Sequence, residues 1–289
     1  MDNLPFLLVI LSALAHGSWN FLFKQALDKD AFLGCTKIAE PVMYALPFAF
    51  AAQRWELDLS MWLYVGVGAV LSIANYVLLA NAYKRLDLAL AYPISRSSTL
   101  FLPLLAYMIF GETIDGAGWA SVLLVSAGVV VIQRRPRHRA APAPHERARE
   151  RAGVALAVAS AFTVALYTLW GRVAVTHMHP FLYMYCYTVL TGLYFYPSLA
   201  RCGRTAVRRE WRANKWRILG VSFLNTFSYV LMLFALNMSK LAYVGALRQL
   251  SLVFGVALGG WLLKEAITLP RLLGVTGIVV GACLTYFAR

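Results

Sequence analysis

Runs of about 20 consecutive apolar residues recur from one end of this chain to the other, and no other feature constrains its fold as much. At a rise of about 1.5 Å per residue such a run matches a hydrocarbon core roughly 30 Å thick, while apolar runs of roughly 10–14 residues suffice for a buried helix in a water-soluble domain. Inside a bilayer the backbone has to satisfy its own hydrogen bonds, so a series of such runs folds as membrane-spanning helices. Of the 289 residues only 14% are charged, against about 25% in a typical soluble domain. The sequence therefore predicts an all-α polytopic membrane protein with ten spans, at 4–26, 31–52, 61–83, 87–109, 114–133, 153–175, 179–200, 216–238, 241–263 and 269–288. Turn and charge signals separate them: Asp28-Lys29-Asp30, Arg54-Trp55-Glu56, Lys84-Arg85, Gly111-Glu112 and Lys264-Glu265. The joints between spans 3 and 4 and between spans 8 and 9 (Ser239-Lys240) are so short that each pair is expected to form tight antiparallel neighbours.

A net charge of +14 raises the question of nucleic acid. The positions of the charges answer it. The loops joining spans 1–2, 3–4, 5–6, 7–8 and 9–10 hold 21 of the 27 Lys and Arg residues, and the opposite side holds 4. That is the asymmetry of a membrane protein whose basic loops stay in the cytoplasm, and no basic stripe on a soluble fold remains to meet a nucleic acid. The expectation is a cell inner membrane protein with basic loops cytoplasmic and both termini outside. The start, Met1-Asp2-Asn3-Leu4-Pro5, lacks a basic n-region, and the first apolar run contains His16, Trp19 and Asn20, so it reads as a retained helix.

The hydrophilic segment 134–152 (RRPRHRAAPAPHERARERA) divides the chain into a first five-helix repeat, 1–133, and a second, 153–289. It reads as a solvated linker lying near anionic lipid headgroups. The halves repeat in sequence. At an offset of 153, Leu71-Ser72-Ile73-Ala74-Asn75-Tyr76-Val77-Leu78 faces Leu224-Asn225-Thr226-Phe227-Ser228-Tyr229-Val230-Leu231, Ala89 faces Ala242, and Gly128 faces Gly281. In the first spans the offset is 148, with Trp19 to Lys24 facing Tyr167 to Arg172. Five crossings per copy is odd, so the second copy inserts upside down, and inverted repeats hold their working site at the repeat interface near the midplane.

These features, with the joints Gly111-Glu112-Thr113-Ile114 and Lys264-Glu265-Ala266-Ile267 after the fourth span of each copy and a small-residue span with a late glycine following each, resemble the drug/metabolite transporter superfamily, in particular its EamA-type ten-helix members. The resemblance covers nearly the whole chain. It implies secondary transport of metabolites, often export of amino acids or related compounds, through a cavity lined by spans 1, 3, 4, 6, 8 and 9. It does not fix the substrate. One departure is that Pro93 and Pro103 of span 4 face Ala246 and Val256 in span 9, so the halves need not move alike.

Arg96 and Arg248 lie inside spans 4 and 9, where an arginine costs at least ~2.5 kcal/mol and faces the bundle interior or a wet cavity. They are candidates for gripping an anionic group, carboxylate or phosphate, through a bidentate guanidinium; bonding to backbone carbonyls is the other reading. Tyr92 precedes Arg96 by one turn and shares its face, and Gln249 adjoins Arg248. Polar stripes mark span 3 (Ser72, Asn75, Tyr76, Tyr83) and span 8 (Ser222, Asn225, Thr226, Tyr229). Trp19 on span 1 and Tyr167 on span 6 join Tyr76, Tyr92 and Tyr229 as aromatics able to enclose a solute. His16 and Glu40 are the candidates for proton coupling; Glu40 follows Lys37 by one turn, so an internal ion pair is its alternative. Glu112 and Glu265 read as caps at helix starts. Gly255-x-x-x-Gly259 and Gly277-x-x-x-Gly281 read as packing sites.

Cys35, Cys186, Cys202 and Cys283 show no metal-ligand spacing, and no phosphate-binding loop, zinc motif or nucleophile elbow occurs, so neither a cofactor nor a metal is expected and the chain does not read as an enzyme. The expected partners are a small-molecule substrate and membrane lipids, with the protein a monomer or weak homodimer. The sequence supports a carrier for a solute with an anionic or zwitterionic group: an amino acid, an organic acid, or a phospho- or phosphonate compound. A flippase for lipid or lipid-linked headgroups on the same scaffold is the alternative, and an intramembrane enzyme a more remote one.

Overall fold

The structure is a computed structural model that describes residues 1–52, 58–86, 91, 94–132, 144–262, 264 and 267–288. Among the described residues the chain forms ten helices and no strand. Spans 1 to 3 are α1 (Asn3–Phe23), α2 (Lys29–Ala52) and α3 (Met61–Tyr83). Span 4 runs Ile94–Phe110 and contains α4 (Ser98–Phe110); span 5 is α5 (Gly116–Ile132). Span 6 lies within α6 (Pro144–His177), which starts earlier than expected because the end of the basic linker is itself helical. The long α7 (Pro180–Met238) holds spans 7 and 8. It is cut at Gly203 (φ 78°, ψ 149°) and Asn214 (φ −127°, ψ 18°) into two spans and a short helix between them. Backbone with that φ and an extended ψ is open essentially to glycine alone, so Gly203 sets the corner. Span 9 is two pieces, α8 (Leu241–Arg248) and α9 (Leu250–Leu262), and span 10 is α10 (Leu269–Phe287).

The packing repeats itself when the halves are exchanged. Span 1 lies against spans 8 and 9, while its counterpart, span 6, lies against spans 3 and 4. Spans 2 and 7 pack together, spans 5 and 10 pack together, and spans 4 and 9 touch. The architecture is therefore two inverted five-helix repeats, as the odd number of crossings per copy requires. The Met1 ammonium donates to the carbonyls of Tyr286 (3.1 Å) and Ala288 (3.3 Å), so both termini sit on one face.

Spans 8 and 9 depart from expectation. Ser239 (φ −147°, ψ 165°) and Lys240 (φ −61°, ψ 136°) are extended. The two spans diverge from that joint with little contact between them, and span 1 is the element that meets both.

Spans 5 and 10 approach most closely through glycine. A methyl at Gly128 would fall 2.7 Å from the Gly274 carbonyl oxygen, one at Gly274 would fall 2.6 Å from the Gly128 oxygen, and Ser121 Oγ donates to the Gly281 carbonyl at 2.7 Å. Without a hydrophobic force between helices in lipid, backbone approach of this kind and such hydrogen bonds hold a seam together. Gly255 has nothing among the described residues within 4 Å of where its own methyl would sit, but its backbone N lies 3.3 Å from where a methyl at Gly17 would fall, so spans 1 and 9 approach closely there. Outward rows such as Leu4, Leu7, Leu11 and Leu14, or Val42, Leu46 and Phe50, remain exposed at helical spacing. Apolar surface that continuous is tolerable where the surroundings are hydrocarbon.

Candidate functional site

Spans 4 and 9 break at the same relative place. In span 4 the helix tightens at Ser97 (ψ 0°), whose N–H donates to the Ile94 carbonyl at 3.1 Å. In span 9 it tightens at Gln249 (ψ −13°), whose N–H donates to the Ala246 carbonyl at 3.1 Å. Each is a single i→i−3 turn inside a span, a known form of functional hinge. Each follows an arginine, Arg96 or Arg248, and the end of a helical piece carries the partial negative charge that suits a guanidinium. The two breaks join directly: Gln249 Nε2 donates to Thr99 Oγ1 at 2.9 Å. Span 9 thus breaks without a proline. Pro93 and Tyr92 themselves lie outside the described residues.

Several buried polar atoms near these breaks have no partner among the described residues. Arg248 Nη1 donates to the Met232 thioether at 2.7 Å, a weak acceptor, and its Nε donates to nothing. Gln249 Oε1, Thr226 Oγ1 and Ser251 Oγ are buried and unpartnered. His16 Nδ1 accepts from Trp19 Nε1 at 3.2 Å, the two rings meeting edge-on with centroids 5.0 Å apart. A neutral ring that accepts at Nδ1 carries its proton on Nε2, which is buried and unpartnered too. Arg96 and Arg248 both lie within electrostatic reach of His16. Span 1 is pressed against this part of span 9, since a methyl at Gly17 would meet the Ser251 carbonyl at 2.8 Å. Buried polar groups are nearly always satisfied, so these orphans on spans 1, 8 and 9 single out the candidate site.

Tyrosines border the site. Tyr229 is within electrostatic reach of Tyr167, Tyr183, Tyr187 and Arg248, and Tyr187 within reach of Tyr76 and Tyr167. The Tyr187 and Tyr229 rings are 5.2 Å apart, and Tyr187 Oη donates to Ser72 Oγ at 2.5 Å. Tyr76 packs edge-on against Phe195 at 5.2 Å. Tyr183 and Tyr187 on span 7 were missed in the sequence, although their i, i+4 spacing places both on one helical face.

Other candidates are held by protein groups. Asn75 Oδ1 accepts from Ser160 Oγ at 2.7 Å, which ties span 3 to span 6. Glu40, 1% exposed, accepts from Lys37 Nζ at 3.1 and 3.0 Å and from Asn225 Nδ2 at 2.7 Å, so an ion pair within span 2 is stapled to span 8 by the Asn225 hydrogen bond. On the face bearing the termini, Glu112 pairs with Arg172 of span 6, and its Oε2 accepts from Leu241 N at 3.0 Å. It caps span 9 rather than its own span 5, which Asp115 caps through Gly118 N at 2.8 Å. Lys240 Nζ donates to the Thr113 carbonyl at 2.7 Å in the same latch. Glu265 lies outside the described residues. No group of His, Cys, Asp and Glu among the described residues is arranged to hold a metal ion.

Compared with known proteins, residues 3–134 and 151–287 match the model of the EamA-like transporter family. No curated protein matches the chain. A solved crystal structure superposes over 99% of this chain and 98% of its own, with a TM-score of 0.76 at 16% sequence identity, a likeness of fold.

Proposed function

We infer, from the premise that this chain belongs to the EamA-like transporter family, that it is a secondary transporter moving a small metabolite with an anionic or zwitterionic group by alternating access. The observation that carries this reading is Arg248, a guanidinium inside a span with no acidic partner among the described residues, one thioether contact and an unpartnered Nε. Hydrogen bonds to a charged group are each worth on the order of 1.5–3 kcal/mol, and a carboxylate or phosphate would supply them. Arg96 and Arg248 lie within electrostatic reach of His16, and Gln249 adjoins Arg248. Trp19, Tyr76, Tyr167 and Tyr229 enclose the apolar part of the solute. The breaks at Ser97 and Gln249 are the hinges about which one repeat rocks against the other.

In proteoliposomes offered a panel of anionic, zwitterionic and cationic solutes, anionic or zwitterionic members are expected to move, with flux lost in Arg96→Ala and Arg248→Ala. Flux of cations alone, or variants moving every solute as well as the parent, contradicts the reading.

We further assign the basic loops to the cytoplasm and both termini to the outside of an inner membrane. Lys37 belongs to span 2 and not to loop 1–2, which leaves the loop asymmetry at 20 against 4. In a chain with Cys202 removed, Thr205→Cys is expected to resist an impermeant thiol reagent in intact cells and to react once the membrane is opened. Labelling in intact cells reverses the orientation.

A further inference from the structure

We propose that the junction of spans 2, 7 and 8 is a binding site for an anionic phospholipid of the leaflet bordering residues 201–217. Two observations meet there. The first is an apolar groove of about 410 Å³ walled by Ile38, Val42 and Met43 of span 2, by Leu199 and Leu219, and at one end by Trp211. Val42 stands open on it, 72% exposed. A polar solute gains nothing from hydrocarbon walls, whereas an acyl chain does.

The second is charge. Between the corner at Gly203 and the break at Asn214 the chain forms a short helix whose rotation is fixed from inside. Glu210, 1% exposed, accepts from Leu27 N (3.3 Å), Asp28 N (2.9 Å) and Asn214 Nδ2 (2.6 Å). With Glu210 turned inward, Arg204, Arg208 and Trp211 fall on one exposed face at i, i+4 and i+7. Thr205, Arg208, Arg209 and Arg212 border a second groove of about 580 Å³. Trp211 thus ends the apolar groove one turn from Arg208 in the basic one. Glu210 is the one acid among residues 201–217 against seven Lys and Arg, and it faces away.

A glycerophospholipid has this combination of chain and phosphate, and tryptophan is the side chain that favours the level between them. Arginine forks suit phosphate oxygens. An anionic headgroup keeps its charge for them, whereas a zwitterionic one offsets its phosphate with its own cation.

The test is native mass spectrometry of the full-length protein extracted from vesicles of equal phosphatidylcholine and phosphatidylglycerol. The parent is expected to retain phosphatidylglycerol preferentially. Arg208→Gln with Arg212→Gln, both at exposed positions, should lower that retention about 30-fold, since each basic residue near a membrane surface is worth roughly fivefold. Val42→Trp, which fills the groove from an exposed position, should lower it with the arginines intact. Retention unchanged in both variants overturns the site. Displacement of the lipid by glycerophosphoglycerol, the same headgroup without chains, overturns the lipid assignment in favour of a soluble phosphate ligand. Solute flux is read separately, so failure here leaves the transport reading where it stands.

Discussion

Arg248→Ala is expected to abolish uphill or exchange flux of the transported solute while the protein inserts and unfolds at the temperature of the parent or above it. Both halves of that result follow from one geometry. Among the described residues Arg248 Nε has no partner and Nη1 has only a sulfur at 2.7 Å, so the protein leaves the guanidinium an under-satisfied charge that holds little together. Removing it relieves the desolvation cost of a buried charged group. What the variant loses is a charge-assisted pair with the solute, on the order of 1.5–3 kcal/mol, or roughly 10- to 150-fold in affinity. Arg248→Lys should recover only part of the flux, because an ammonium is a point charge without the planar fork. A variant that lost several kcal/mol of stability and kept the parent's flux would make Arg248 a structural residue.

Glu40→Ala is expected to show the opposite pattern, a loss of about 3–5 kcal/mol of stability, which is the cost of leaving one partner of a buried ion pair uncompensated. Lys37 is 6% exposed and both of its hydrogen bonds to Glu40 oxygens are 3.0–3.1 Å long. With Glu40 gone, the ammonium is stranded and Asn225 loses its acceptor as well. The double variant Lys37→Met/Glu40→Leu should recover most of the loss, because well-packed apolar residues often replace a buried pair at little net cost. Thermal unfolding in one detergent across the three proteins checks this. If Glu40→Gln instead unfolds with the parent while the pH dependence of flux disappears, Glu40 is a proton-coupling group and the staple assignment fails.

The spans were legible because a 20-residue apolar run leaves the backbone no alternative in lipid, and the inversion because five is odd. The repeat register at Asn75/Ser228 and Tyr76/Tyr229 likewise pointed to faces that meet the other repeat. The details that matter for the site were harder to see. The break at Gln249 has no proline to announce it, since Ala246 stands where span 4 has Pro93, and apolar periodicity runs through the turn without interruption. Charge counting placed Lys37 with loop 1–2, although its spacing to Glu40 already offered an ion pair inside span 2, the pair that the structure shows. Glu112 was read as a cap at a helix start, and it is one; which helix it caps was hidden, because the extended Ser239-Lys240 joint brings Leu241 N to it from the other repeat, a contact made across 129 residues. The same joint turns spans 8 and 9 apart, and a loop's shortness says nothing of the angle at which its helices leave it. Tyr183 and Tyr187 could have been found from spacing alone. His16 and Arg248 were singled out as isolated polar residues in apolar runs; that they lie within electrostatic reach of each other depends on span 1 crossing span 9 at Gly17, which only the packing shows.

The central claim is that the polar groups between the repeats become wet during the transport cycle. Thr226, 3% exposed with an Oγ1 that has no partner among the described residues, is the place to ask. In a protein with Cys35, Cys186, Cys202 and Cys283 replaced, Thr226→Cys should react with a small hydrophilic thiol reagent applied from either side of the membrane, and a transported solute should protect it. A thiol at position 226 that stays unreactive from both sides, with or without solute, would mean that these groups belong to a dry and permanent core, and the carrier account would be contradicted.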